Sequence, residues 1–263
     1  MVRHVHPLVS RFAEAGLRLH IAAAPLQRAG TAAIVQLDIA RGRSKADEGF
    51  RLWPGHARNR IEVEGVDRGL EQLVLLIHEP RVRFEVEMDR RAAERSPELK
   101  VVRVSNRRAW VERFTDSSKR HFLCGMDEQH CFIAQLPEGV STVRRAHEAL
   151  RPAGLDAKAA QRAVRQGEFF FVPLSEPELK RCLQLGRGLL PKQNVGIAQA
   201  AGWVRAGRPH VASQVWALPE GIVLVQGQVR HPDHRTVYFR EWMRVLQNRE
   251  AYEAPPPGVL WVD

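Results

Sequence analysis

The chain has 263 residues, of which 44% are apolar and 27% charged, a balance that excludes collagenous, mucin-like and wholly disordered polypeptides. Forty Lys and Arg face thirty Asp and Glu, a formal charge of +10 with a pI near 10.3, which directs attention to polyanions as partners. The longest apolar run, Leu73 to Ile77, falls far short of the roughly 20 residues that cross a bilayer.

Glu14, Arg18 and His20 break up any leader-like hydrophobic stretch near the N-terminus, so a cytoplasmic protein with no membrane partner is expected. Val9, Phe12, Ala13 and Leu17 predict an amphipathic helix over Leu8 to His20. Strand-like runs follow at Ala32–Ala40, Ile61–Val66, Leu70–Ile77 and Val82–Met88, the last with strict alternation. Asp89–Ser96 is charged and suits a solvated helix or loop, and Val101–Val104 reads as a further strand. Phe122–Cys124 and Cys131–Leu136 predict a hairpin whose turn carries Asp127, Glu128 and His130, a cation site or simply an exposed acidic turn. Ser141 or Thr142 caps a helix through Leu150.

Pro152-Ala153-Gly154 marks the expected boundary between an N-terminal α+β domain, 1–152, and a β-rich domain, 153–263. The second begins with a short helix, Ala157–Val164, and a strand through Glu168–Leu174 whose three consecutive Phe predict cover on both faces. Residues 186–207 are rich in Gly and basic side chains and read as a mobile basic loop. Val211–Leu218, Ile222–Val229 and Thr236–Leu246 are strands, with a last one at Val259–Val262. The fold class is α+β. Three cysteines, Cys124, Cys131 and Cys182, have no metal or disulfide spacing, and Cys124 and Cys131, on successive strand runs, read as small hydrophobes.

His231-Pro232-Asp233-His234 lies between two neighbouring strands, and His210 opens the strand before them. Strands adjacent in sequence tend to pair, which would gather the three rings at one sheet edge. Three imidazoles with an open position suit a divalent transition metal as cofactor; two alone can exchange protons across a phosphodiester; and polar turn residues can merely cap a hairpin. Glu168 is a ligand or an orienting carboxylate if it faces the histidines, and otherwise an ion-pair partner of Arg165. Walker A, G-x-G-x-x-G, H-E-x-x-H and G-x-S-x-G patterns do not occur in the sequence.

Gln166-Gly167-Glu168 before an apolar strand, then Gly207 to His210, His231 to His234 and Asn248-Arg249-Glu250, together resemble a family of uncharacterised prokaryotic and phage proteins. The resemblance covers about residues 165–252 and carries no established activity. It departs at Arg208, where those relatives have His.

Residues 141–210 hold twelve basic and five acidic side chains, most of the net charge in about a quarter of the chain. Arg144, Arg145, Arg151, Arg162, Arg165, Arg187, Lys192, Arg205 and Arg208, with Trp203 for base stacking, form the candidate nucleic-acid set. RNA or another single strand is favoured over duplex DNA, because no helix-turn-helix pattern is present. Arg outnumbers Lys by 34 to 6, which a GC-rich genome explains as readily as phosphate binding. The expected function is an intracellular nucleic-acid-associated protein that holds RNA or a single strand through this Arg-rich segment, with a His-dependent phosphodiesterase or metal-dependent hydrolase, and a noncatalytic component bound to a protein partner, as the alternatives.

Overall fold

The computed structural model describes residues 6–26, 33–41, 47–127, 130–203 and 208–250. It is an α+β fold in which short helices decorate four separate sheets. The first helix, α1 (Pro7–Glu14), is shorter than the apolar periodicity implies, because Gly16 at φ +78 turns the chain into strand β1 (Leu19–Ile21). β1, β2 (Gln36–Ala40) and β3 (Gly49–Trp53) form a three-stranded sheet in the order β1-β3-β2.

β4 (Arg60–Asp67) and β5 (Gln72–Glu79) make a hairpin, and β6 (Arg83–Asp89) leads into helix α2 (Arg90–Glu94), N-capped by Asp89. β7 (Val101–Ser105) and β8 (Arg108–Phe114) pair with β6 in the order β6-β8-β7. β9 (Ser118–Asp127) and β10 (His130–Gln135) complete a four-stranded sheet, β10-β9-β5-β4. Helix α3 (Val143–Leu150) is capped by the Thr142 hydroxyl, which accepts from the Arg145 amide.

The central sheet is covered on both sides, which is why β5 reads as an unbroken apolar run. Leu73, Leu75, Ile77, Phe122 and Cys124 join Phe12, Leu37, Phe50 and Leu52 in one core. Val74, Leu123 and Ala134 pack under α3 through Val143, Ala146 and Leu150. The cysteines behave as small hydrophobes: all three are buried, none is in a disulfide, and burial pushes the Cys124 and Cys182 thiols up.

Beyond Gly154, helix α4 (Ala157–Arg162) precedes β11 (Val164–Gln166) and β12 (Phe169–Pro173). Helix α5 (Glu176–Leu185) opens on a capping box between Ser175 and Glu178. The stretch expected to be a mobile basic loop holds a strand, β13 (Lys192–Gly196), and a helical turn, α6 (Ile197–Ala201). The expectation failed because β13 is an edge strand with mostly exposed residues and so has no apolar alternation to read. β14 (Val211–Ala217), β15 (Val223–His231) and β16 (His234–Gln247) finish a six-stranded antiparallel sheet, β11-β12-β16-β15-β14-β13.

Phe169 and Phe171 lie in the core beneath that sheet with Ile197, Val215, Val225 and Val229, while Phe170 is only half-buried. A separate cluster under α5 joins Cys182, Trp216, Leu218 and Leu224. The strand expected at Val259–Val262 lies outside the described residues. No helix among the described residues is long and apolar enough to cross a membrane.

Candidate metal centre

The three histidines meet because β14, β15 and β16 are antiparallel neighbours. His210 precedes the first residue of β14, His231 ends β15 and His234 begins β16, with only Pro232 and Asp233 between the last two. One donor atom of each ring lies within 4.8 Å of the others. The ring centroids are 4.3 Å apart for His210 and His231, 4.9 Å for His231 and His234, and 5.4 Å for His210 and His234. Three imidazolium ions at such spacing would repel one another strongly.

The surroundings orient each ring. His210 is fully buried, Phe169 meets it edge-on at 5.0 Å, and Glu168 Oε1 lies 3.7 Å from its Nδ1. Glu168 therefore faces the histidines, and Arg165 comes no closer than 4.0 Å to any described carboxylate. His231 Nε2 donates to the Arg208 carbonyl at 3.1 Å, which leaves Nδ1 as the lone-pair nitrogen; it accepts the Asp233 amide at 3.2 Å. Gly167, at φ +57, makes room for the cluster: a Cβ there would stand 3.0 Å from His234 Nε2 and 3.2 Å from His210 Cε1. The turn bearing Gly167 is pinned by Gln166 Nε2 donating to the Arg235 carbonyl and by the Asn248 amide donating to the Glu168 carbonyl.

Gly167, Glu168, His231 and His234 line a cleft of about 60 Å³ together with Arg41, Asp127, His130, Arg165, Asp233, Asn248 and Glu250 among others, while His210 lies buried behind them. Asp233 is bridged by Arg41 at 3.2 Å and Arg208 at 3.5 Å. Desolvation pushes its carboxyl up, but the Arg41 hydrogen bond and charge, with His231 and Arg208, outweigh this and hold it below the ordinary carboxylate range. Also lining the cleft, His130 has its Nδ1 2.7 Å from buried Glu48, whose second oxygen accepts the Cys131 amide.

Arg165 is fixed at two points. Its Nε donates to the Gly167 carbonyl at 2.9 Å, and its NH1 donates to His147 Nδ1 at 3.3 Å. His147 in turn donates from Nε2 to Gln72 Oε1 at 2.7 Å. Burial, then the Arg165 charge, keep the His147 imidazole below its ordinary range and hence neutral.

The sequence elements 166–168, 231–234 and 248–250 thus converge on one cleft. Arg165 and Arg208 adjoin it. Arg144 and Arg145 lie exposed on α3, Arg151 is half-buried after it, Arg162 ends α4, Arg187 follows α5, and Lys192 begins β13. Trp203 stacks on Phe169 at 6.0 Å and packs against the core, and Arg205 lies outside the described residues. Asp127 pairs with His130 in the β9–β10 register, Glu128 lies outside the described residues, and the His210–His231–His234 group is the metal-competent cluster among the described residues.

Sequence reasoning missed Arg41, Glu48 and His147. None has a local motif, since their partners lie 192, 82 and 75 residues away. No protein-family model, curated protein or solved structure matches the chain, so its geometry and chemistry stand as the guide to what it does.

Proposed function

We propose that His210, His231 and His234 bind one divalent transition metal ion of the zinc class, and that the cleft is the active site of a metal-dependent hydrolase. The observation that supports this reading above the others is the approach of three imidazole donors to within 4.8 Å of one another. Nitrogens that share one zinc ion tetrahedrally at 2.0–2.1 Å lie about 3.4 Å apart, so the rings would close by up to about 1.4 Å around an ion. Imidazole donors suit zinc, iron, nickel or copper, and a three-His set leaves a position for water, whose pKa the ion lowers to about 7. Glu168 beside His210 Nδ1 and the Arg208 carbonyl on His231 Nε2 are the kind of outer partners that fix ligand tautomers; with Nε2 so engaged, His231 would bind through Nδ1 and give up the Asp233 amide which that atom accepts.

Tag-free protein loaded with Zn(II) and desalted should retain about one ion per chain by elemental analysis. Co(II) substitution should give visible d–d bands, and bis(p-nitrophenyl) phosphate should be hydrolysed. His210→Ala, His231→Ala and His234→Ala should each lose the ion while keeping the far-UV circular dichroism spectrum. Wild-type protein that retains none of zinc, cobalt, nickel, manganese or iron(II) would overturn the reading and leave metal-free acid–base chemistry.

A second reading rests on the exposed cations Arg144, Arg145, Arg162, Arg187 and Lys192. In it the protein associates with single-stranded nucleic acid. Binding to an oligonucleotide should then weaken steeply between 50 and 200 mM salt, as phosphate contacts release counterions. A flat salt response retires it.

A further inference from the structure

Arg165 stands apart from the other charged side chains of the cleft. A guanidinium has five N–H donors. One goes to the Gly167 carbonyl and one to His147 Nδ1, and no other described group takes the rest. The side chain is partly buried, and this burial lowers its proton affinity, while Asp127, Glu250 and Glu168 act on it only from beyond ion-pair distance. Taking such a charge from water is unfavourable unless a counter-charge is supplied nearby.

Its nearest support is unusual for a structural arginine. A carboxylate would satisfy the charge; here the partner is an imidazole whose opposite nitrogen is committed to Gln72, so Nδ1 can only accept. This fixes the guanidinium plane without neutralising it. The Phe170 ring, 5.7 Å from Cζ, flanks one face. The carbonyl that holds Nε belongs to Gly167, the residue whose α-carbon faces His234 Nε2 and His210. Arginine and imidazoles are therefore tied to the same tight turn. The neighbouring acids are engaged elsewhere: Asp233 with Arg41 and Arg208, Glu168 with His210, and Glu250 with the Gln135 amide.

From this geometry we infer that Arg165, held by His147 and Gly167, is an oxyanion-recognition site, and that the substrates of the cleft are phosphate esters whose phosphoryl oxygens it grips. A planar fork with several open donors matches a tetrahedral phosphoryl group. The inference rests on the hydrolase reading for its setting, but the arginine can be tested without it.

The probe is inorganic phosphate, titrated calorimetrically into full-length Zn(II)-loaded protein and into the same protein stripped with chelator. Loaded wild type should bind phosphate in the micromolar to low millimolar range. Arg165→Met should weaken binding at least 30-fold with zinc content unchanged, and Arg165→Lys should recover only part of it. Should Arg165→Met fold poorly, His147→Leu serves instead: it leaves the arginine in place, removes its orienting acceptor, and should weaken phosphate 3- to 10-fold. With bis(p-nitrophenyl) phosphate the loss in Arg165→Lys should fall mainly on KM. Zinc retention together with no phosphate binding at 10 mM, or with equal binding by Arg165→Met, overturns the inference and leaves the metal reading standing. Absence of zinc together with Arg165-dependent phosphate binding in the stripped protein does the reverse.

Discussion

Arginine has two different fates in this chain, and the three-stranded sheet and the cleft display them side by side. On β6, β8 and the segment before β7, Arg83 and Lys100 both reach Glu112, and Arg108 reaches Glu87 at 2.6 Å. Arg103 lies over Trp110 in the same sheet, and every cation of these ion pairs is at least half exposed. Arg108–Glu87, exposed on both sides, is screened and contributes only about 0–1 kcal/mol. In the cleft, Arg165 is desolvated, braced by a carbonyl and a neutral imidazole, and left with donors to offer. The formal charge of +10 therefore says little about where chemistry happens; what separates the two regions is whether a cation is already answered by a carboxylate.

The comparison is most severely tested at the base of the cleft. Phe169 is fully buried, meets His210 edge-on and stacks on Trp203. Phe169→Ala should cost about 3–5 kcal/mol in urea unfolding and loosen metal binding with it. A loss below 1 kcal/mol would mean that the histidines do not depend on this core.

Gly167→Ala places a methyl 3.0 Å from His234 Nε2 on a backbone at φ +57. Zinc affinity should fall by about 10- to 100-fold, as when an outer support of a metal ligand is lost. Competition with a chromophoric chelator measures it, and an unchanged affinity would remove the turn from the site.

Acid should separate the regions as well. Burial holds the His147 and His121 imidazoles below the ordinary value of 6.5. Because the folded state favours their neutral forms, the stability each contributes is present above 6.5 and is lost as pH falls through the depressed folded value. Urea midpoints from pH 8 to pH 5 should decline, and His147→Gln should flatten part of that decline. The smallest effect belongs to the surface: Arg108→Ala should change stability by about 1 kcal/mol or less. Arg165→Met should leave the thermal midpoint unchanged or raise it, since an apolar side chain of similar volume removes a desolvated charge.

Much of this architecture is legible in the residues. β14, β15 and β16 are consecutive runs of strand character, so the meeting of His210, His231 and His234 follows from ordinary hairpin pairing. Thr142 and the helix it caps, and the β9–β10 hairpin, are equally local. Helix α5 carried a legible signal in Ser175 and Glu178, three residues apart, that reading by apolar runs passed over. β13 was opaque for a different reason, since an exposed edge strand has little alternation to display. The supports of the cleft are opaque for a third: Glu48 with His130, Gln72 with His147 and Arg41 with Asp233 are pairings made only when the chain closes on itself. A sequence can announce which side chains carry chemistry while staying silent about what holds them.

The Arg41–Asp233 bridge gives that silence a practical meaning. The tip that presents two of the three rings is moored to a residue 192 positions upstream. Expressed alone, the downstream half would still contain every donor of the cluster, yet its tip would carry a buried acid stripped of its upstream counterweight. The position of those two rings is therefore tied to the docking of the distant first quarter of the polypeptide, and if the proposed ion binds there, its retention would gauge assembly.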